Sequence, residues 1–110
     1  TKIFADDQAA PAAITSRADY TGRTVTTAAI DWDFLITGGA WNNSPSINTI
    51  IQELADSYDP TTIQILHKDD GSLNNSYNYC RTYDHDTTLA PKIHVEYTAG
   101  GAARRVFAVS

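Results

Sequence analysis

Residues 77–97, YNYCRTYDHDTTLAPKIHVEY, read as two alternating strands joined by a turn, and that pairing constrains the chain more than any other stretch. In the second strand Ile93, Val95 and Tyr97 point one way and Lys92, His94, Glu96 and Thr98 the other, the period of a strand with one buried and one wet face. The first strand sets Tyr77, Tyr79, Arg81 and Tyr83 against Asn78, Cys80 and Thr82. Ala90 is expected to be extended because it precedes Pro91, and Pro91 to open the last strand where no ladder donor is needed. A chain built this way is expected to end its core as a β-sheet.

Upstream, further strands are expected. Lys2-Ile3-Phe4-Ala5 forms a short one that stops at Asp6-Asp7, and residues 8–20, with Pro11 and no clean period, read as a loop. Residues 25–34 are rich in β-branched side chains, with Trp32 and Phe34 on one face, and residues 62–68 alternate Ile63, Ile65 and His67 against Gln64, Leu66 and Lys68. One helix interrupts the series. Ser44 and Pro45 suit an N-cap and a first helical position, and Ile47, Ile50, Ile51 and Leu54 follow at helical spacing, with Gln52, Glu53 and Asp56 on the wet face. Pro60 bars continuation. The expected fold class is therefore mainly β: an antiparallel, jelly-roll-like β-sandwich with one short helix near residues 45–57.

Composition narrows the function. A formal net charge of -5 in 110 residues, with basic side chains adjacent only at Arg104-Arg105, argues against nucleic acid as a partner. No run reaches the roughly 18 apolar residues of a membrane span, so membrane insertion is not expected. The single Cys80 excludes an internal disulfide framework, and His67, His85 and His94 lack metal-ligand spacing. With no methionine and a first residue of Thr1, the sequence reads as a processed product or a piece of a longer chain. No two acids are placed on facing rigid elements as glycoside hydrolysis demands, so no enzyme and no cofactor are expected.

Candidate site residues fall into three groups. Trp41, after Gly38-Gly39 and beside Asn42-Asn43, and the strip of Tyr77, Tyr79 and Tyr83 are candidate ligand-binding aromatics, the flat rings suiting a sugar or a partner protein; Trp32 is expected to be buried. Asp69, Asp70, Asp84 and Asp86 lie in two oxygen-rich loops able to take Ca2+ if they converge, although Asp-Asp-Gly-Ser is also an ordinary turn sequence. Beyond the Gly100-Gly101 hinge, Arg105, Val106, Phe107 and Val109 form a strand or tail suited to pairing with a neighbouring subunit.

The order of these features resembles a known family. Asp31-Trp32-Asp33-Phe34, Trp41 before Ser44-Pro45-Ser46-Ile47, the helix through Ile50-Ile51-Gln52-Glu53-Leu54, Asp69-Asp70-Gly71-Ser72, Tyr83-Asp84 and the closing Ala90-Pro91-Lys92-Ile93-His94-Val95-Glu96-Tyr97 are similar to roughly the C-terminal two-thirds of DNRLRE-type β-sandwich domains. Such domains occur in extracellular proteins, in some carbohydrate-binding modules and in phage structural proteins. The resemblance implies a sandwich over residues 1–98 that lacks its leading strands, followed by a hinge and tail over 99–110. It implies a non-enzymatic structural or adhesive module on a larger assembly, a phage virion or an extracellular filament, with other copies or neighbouring structural subunits as partners. The alternative it carries is a carbohydrate-binding module of an extracellular protein.

Overall fold

The computed structural model describes residues 1–33, 40–71 and 84–97, and the chain divides into two units, Thr1–Ser76 and Tyr77–Ser110. In the first unit strand β1 (Lys2–Ala5) is the middle of a three-stranded antiparallel sheet, flanked by β2 (Ile30–Asp31) and β3 (Ile65–Lys68) in the order β2-β1-β3. Lys2 pairs with Asp31 and Ile3 with Ile30 on one side; on the other, Lys2, Ile3, Phe4 and Ala5 pair with Lys68, His67, Leu66 and Ile65. The ladder continues one step beyond β1, where the Asp6 amide donates to the Gln64 carbonyl at 2.9 Å and Asp6 bridges Val25.

Alternation along β1 gives the sheet two faces. Ile3 and Ala5 share theirs with Ile30 and Ile65, and helix α2 (Asn48–Ser57) lays Ile50 and Leu54 across it. These four side chains, Ile3, Ala5, Ile50 and Leu54, form a buried cluster, rimmed by the half-buried Ala28, Trp32, Ile47, Tyr58 and Ile63, while Leu66, paired with Phe4, is buried on the other face. Each fully buried Ile or Leu contributes roughly 1.5–3 kcal/mol. Glu53 fastens the helix to the approach of β2: its two carboxylate oxygens accept the Thr27 and Ala28 amides, each at 2.8 Å. Buried Thr26 extends the ladder with its side chain, accepting the Ala5 amide at 3.2 Å and donating to the Ala28 carbonyl at 2.9 Å.

The helix begins later than its sequence suggests. Ser44 does not cap it; its hydroxyl donates to the Pro45 carbonyl, and the first helical residue is Asn48, whose amide reaches the Ser46 hydroxyl at 3.3 Å. Of the expected stripe, Ile50 and Leu54 are fully buried, Ile47 packs at the rim, and Ile51 is half-buried outside the core cluster. A second helix, α1 (Arg17–Gly22), stands where a loop was expected. Ser16 caps it by accepting the Asp19 amide at 3.0 Å, a local device independent of apolar periodicity.

The β-sandwich is not the architecture found. Among the described residues there is one open three-stranded sheet with two helices, and the reason is that the apolar stripe of α2 covers the face a second sheet would have to cover. Of the strand expected over 25–34, the described residues form Ile30–Asp31 and the bridge at Val25, residue 34 lying outside them; that over 62–68 reduces to Ile65–Lys68. In the second unit residues 84–90 form turns, with the Thr88 amide and hydroxyl both on Asp86 Oδ1 at 2.9 and 2.7 Å. Residues 91–97 do not form the expected strand among the described residues, yet Ile93 and Val95 are half-buried while Lys92, His94 and Glu96 are exposed, and His94 Nε2 meets Glu96 Oε1 at 3.1 Å. The expected strand 77–83 and the tail 99–110 lie outside the described residues.

Candidate functional site

The segment that leads into α2 places Trp41 in solvent. Its residue is 57% exposed, and Asn42, Asn43, Ser44, Pro45 and Ser46 after it are exposed as well. Local hydrogen bonds shape the backbone here: Asn42 Nδ2 donates to the Ala40 carbonyl at 3.1 Å, and the Ser46 hydroxyl accepts from Asn48 as above. Ile47 and Ile50 root the end of the segment in the core, so the start of α2 carries the exposed run. Trp32 is placed differently. It is half-buried at the core rim, its ring centroid 5.7 Å from that of His67 and its amide donating to the Thr1 carbonyl at 2.8 Å.

The remaining candidates sit in local turns or in an acidic group near Thr1, or lie outside the described residues. Tyr77, Tyr79 and Tyr83 lie outside the described residues, as do Arg105, Val106, Phe107 and Val109. Asp69 Oδ1 accepts the Gly71 amide at 3.1 Å in a turn where Gly71 takes φ +84°, a conformation that favours glycine. Asp86 serves the Thr88 turn, and Asp84 is exposed. Asp70 instead gathers with Asp31 and Asp33, their carboxylate oxygens within 4.8 Å of one another, around the Thr1 amino nitrogen, which lies 3.0 Å from Asp33 and 2.9 Å from Asp70. Acidic groups near a surface are common without a metal, and this one neutralises part of its charge on the Thr1 amino group.

A second constellation escaped the sequence reading. Asp6 is fully buried; its Oδ2 accepts from Arg23 at 2.7 Å and its Oδ1 from Gln8 Nε2 at 2.9 Å. Arg23 also makes a two-point contact with Asp19, at 2.7 and 3.0 Å. Arg23, with the Thr15 amide adding to it, holds the Asp19 carboxyl down at about 2, and the two carboxylates hold the guanidinium above its ordinary value. The spacing Ser16…Asp19…Arg23, a cap followed by an i,i+4 ion pair, was the available signal. Beside it, the Tyr20 hydroxyl donates to the His67 carbonyl, and Lys68 Nζ sits 5.4 Å from the Tyr20 ring centroid. That contact gives Lys68 a partner other than Lys2, its like-charged neighbour across the ladder. The network ties α1 to the sheet and is a fastening of the fold.

Comparison with known proteins adds no family. The sequence matches no family model, and no curated protein or solved structure is significantly similar to it. The sandwich implied by the DNRLRE-type resemblance is overturned by the three-stranded sheet described above. Among the described residues no helix is long and apolar enough to cross a membrane.

Proposed function

We propose that this chain is a non-enzymatic structural or adhesive module on the surface of a larger assembly, a phage virion or an extracellular filament, and that residues 40–49 are its contact surface. The observation that carries this reading is the 57% exposure of Trp41 on a run rooted in the core by α2. An indole with more than half of its surface exposed forgoes part of the stabilisation that full burial would bring, and tryptophan is among the residue types enriched at side chains that dominate binding energy. The run is anchored at Ile47 and Ile50, so the ring is presented from a supported position.

Adhesion of beads bearing the chain tests the reading. Beads are applied to a panel of surfaces coated with polysaccharide, with protein, or left bare. The expected result is retention on at least one coated surface that falls by at least about tenfold for Trp41→Ala, with the thermal midpoint of the variant unchanged. Retention that is the same with and without the indole, or absent from every surface, contradicts the reading.

A further inference from the structure

The turn that follows β3 joins an aspartate to a glycine, and we propose that the Asp70–Gly71 bond is a latent modification site: its backbone rearranges to isoaspartate when the contacts that hold the turn are released, and Asp69 is its guard. Gly71 is the only glycine in the chain that follows an aspartate, and no glycine follows an asparagine. Every other aspartate precedes a residue whose side chain crowds the attacking nitrogen or, at Asp59, precedes Pro60, which has no N–H. Gly71 has no such side chain. It takes φ +84°, and a Cβ added there would meet nothing within 4 Å, so the turn has room for a new ring.

The chemistry needs only these residues and water. The Gly71 nitrogen attacks Cγ of the Asp70 carboxylic acid; the N–H proton and the carboxyl hydroxyl leave as water, and a succinimide ring joins the two residues. Water then adds to either ring carbonyl and breaks its bond to the nitrogen. Opening at the main-chain carbonyl routes the backbone through the former side chain and frees the α-carboxylate, which is isoaspartate; opening at the side-chain carbonyl restores aspartate. The fold holds both reacting groups off this path. The Gly71 amide donates to Asp69 Oδ1 at 3.1 Å, so the nitrogen faces a neighbouring carboxylate whose charge opposes loss of its proton. Asp70 Oδ2 is paired with the Thr1 amino group at 2.9 Å, its side chain 11% exposed, and the attack has to break that pair. Conversion inserts a methylene into the backbone just past Lys68, the last residue of β3, and costs the edge of the sheet its Thr1–Asp70 contact.

The test is ageing of the full chain in neutral buffer, followed by peptide mapping that separates isoaspartyl from aspartyl peptides. The parent is compared with Asp69→Ala, which removes the acceptor of the Gly71 amide, and with Asp69→Ser, whose hydroxyl can still accept it. The expected result is isoaspartate at residue 70, accumulating at least about threefold faster in Asp69→Ala than in the parent, with Asp69→Ser between them. Asp70→Glu, which would have to close a larger ring, should give no rearranged product at that position. In urea, where the turn is lost, the parent should age as fast as Asp69→Ala. A guard that acts only through the folded turn gives this pattern, whereas a variant that merely unfolds more readily gives no graded order between serine and alanine. Three results overturn the proposal: isoaspartate forms chiefly at another aspartate, the parent and Asp69→Ala age at the same rate in buffer, or their difference persists in urea.

Discussion

On one face of β1, Ile3 and Ala5 meet Ile50 and Leu54 of α2; on the other, Asp6 at the strand's end meets Arg23, which in turn grips Asp19. Both are buried, but they respond differently to damage. An apolar contact loses transfer free energy and leaves a cavity, in proportion to the atoms removed. A buried ion pair loses little when both partners go and much when one goes, because the survivor keeps its charge without its partner. The comparison teaches that a short strand can fasten two helices by unlike means, one graded and one all-or-none.

The largest effect is expected on the apolar face. Ile50→Ala and Leu54→Ala should each destabilise the chain by about 2–5 kcal/mol in urea unfolding. Ile51 carries the stripe equally well in sequence but is only half-buried and sits outside the core cluster, so Ile51→Ala should cost nearer about 1 kcal/mol. Equal losses at Ile51 and Leu54 would mean that α2 presents a different face, and the contrast between the two sides of β1 would break.

The ionic face comes next. Asp6→Asn keeps the shape but removes the buried charge opposite Arg23; because Arg23 keeps Asp19 as a partner, the loss should be smaller than for a fully orphaned charge, about 1–2 kcal/mol. A double variant, Asp6→Asn with Arg23→Gln, should recover part of that loss. If the two losses simply add, the network is not a coupled pair. Acid titration sharpens the point. Asp19 is depressed from 3.8 to about 2, so its contribution is fully present above pH 3.8 and is lost as pH falls toward about 2. Thermal midpoints measured across that window should fall for the parent chain and fall less steeply for Asp19→Asn; parallel curves would remove Asp19 from the account.

The smallest effect is expected at Gln64, whose backbone carbonyl accepts the Asp6 amide. Its side-chain Oε1 is buried with no hydrogen-bond partner. Gln64→Leu removes that unsatisfied acceptor and should leave stability unchanged or raise it by up to about 1 kcal/mol. A clear loss would show that the amide has a partner that the leucine cannot replace.

The same contrast explains what was legible in the sequence. β3 and the apolar stripe of α2 are legible from periods of two and of 3.6, and β1 as a short apolar run that stops at Asp6-Asp7, because the residues that meet in the core declare themselves within a few positions of each other. The start of α2 is not legible, because Ser44-Pro45 has the right chemistry for a cap while the chain spends three more residues before the helix, with Ser46 accepting the Asn48 amide. α1 is hidden in the sequence because a six-residue helix held by Ser16, Asp19 and Arg23 needs no apolar period. The expected sandwich fails for a different reason. Strands declare that they need cover, but not whether a sheet or a helix supplies it, and here the helix does. At the candidate site, exposure of Trp41 followed from its glycine and asparagine neighbours, whereas the grouping of Asp70 with Asp31 and Asp33 depends on the register of β2, which no local pattern specifies.

The claim on which both faces depend is that β1 is the middle strand, paired on each side. Amide hydrogen exchange of the full chain reads this directly. The Ala5 amide, donating to buried Thr26, and the Asp6 amide, donating to Gln64, are predicted to be among the slowest in the chain and to exchange together, well after the amides of α1. Exchange of Ala5 and Asp6 as fast as that of the exposed run at Asn42 and Asn43 would contradict it, because a β1 that opens that readily cannot be holding two helices in place.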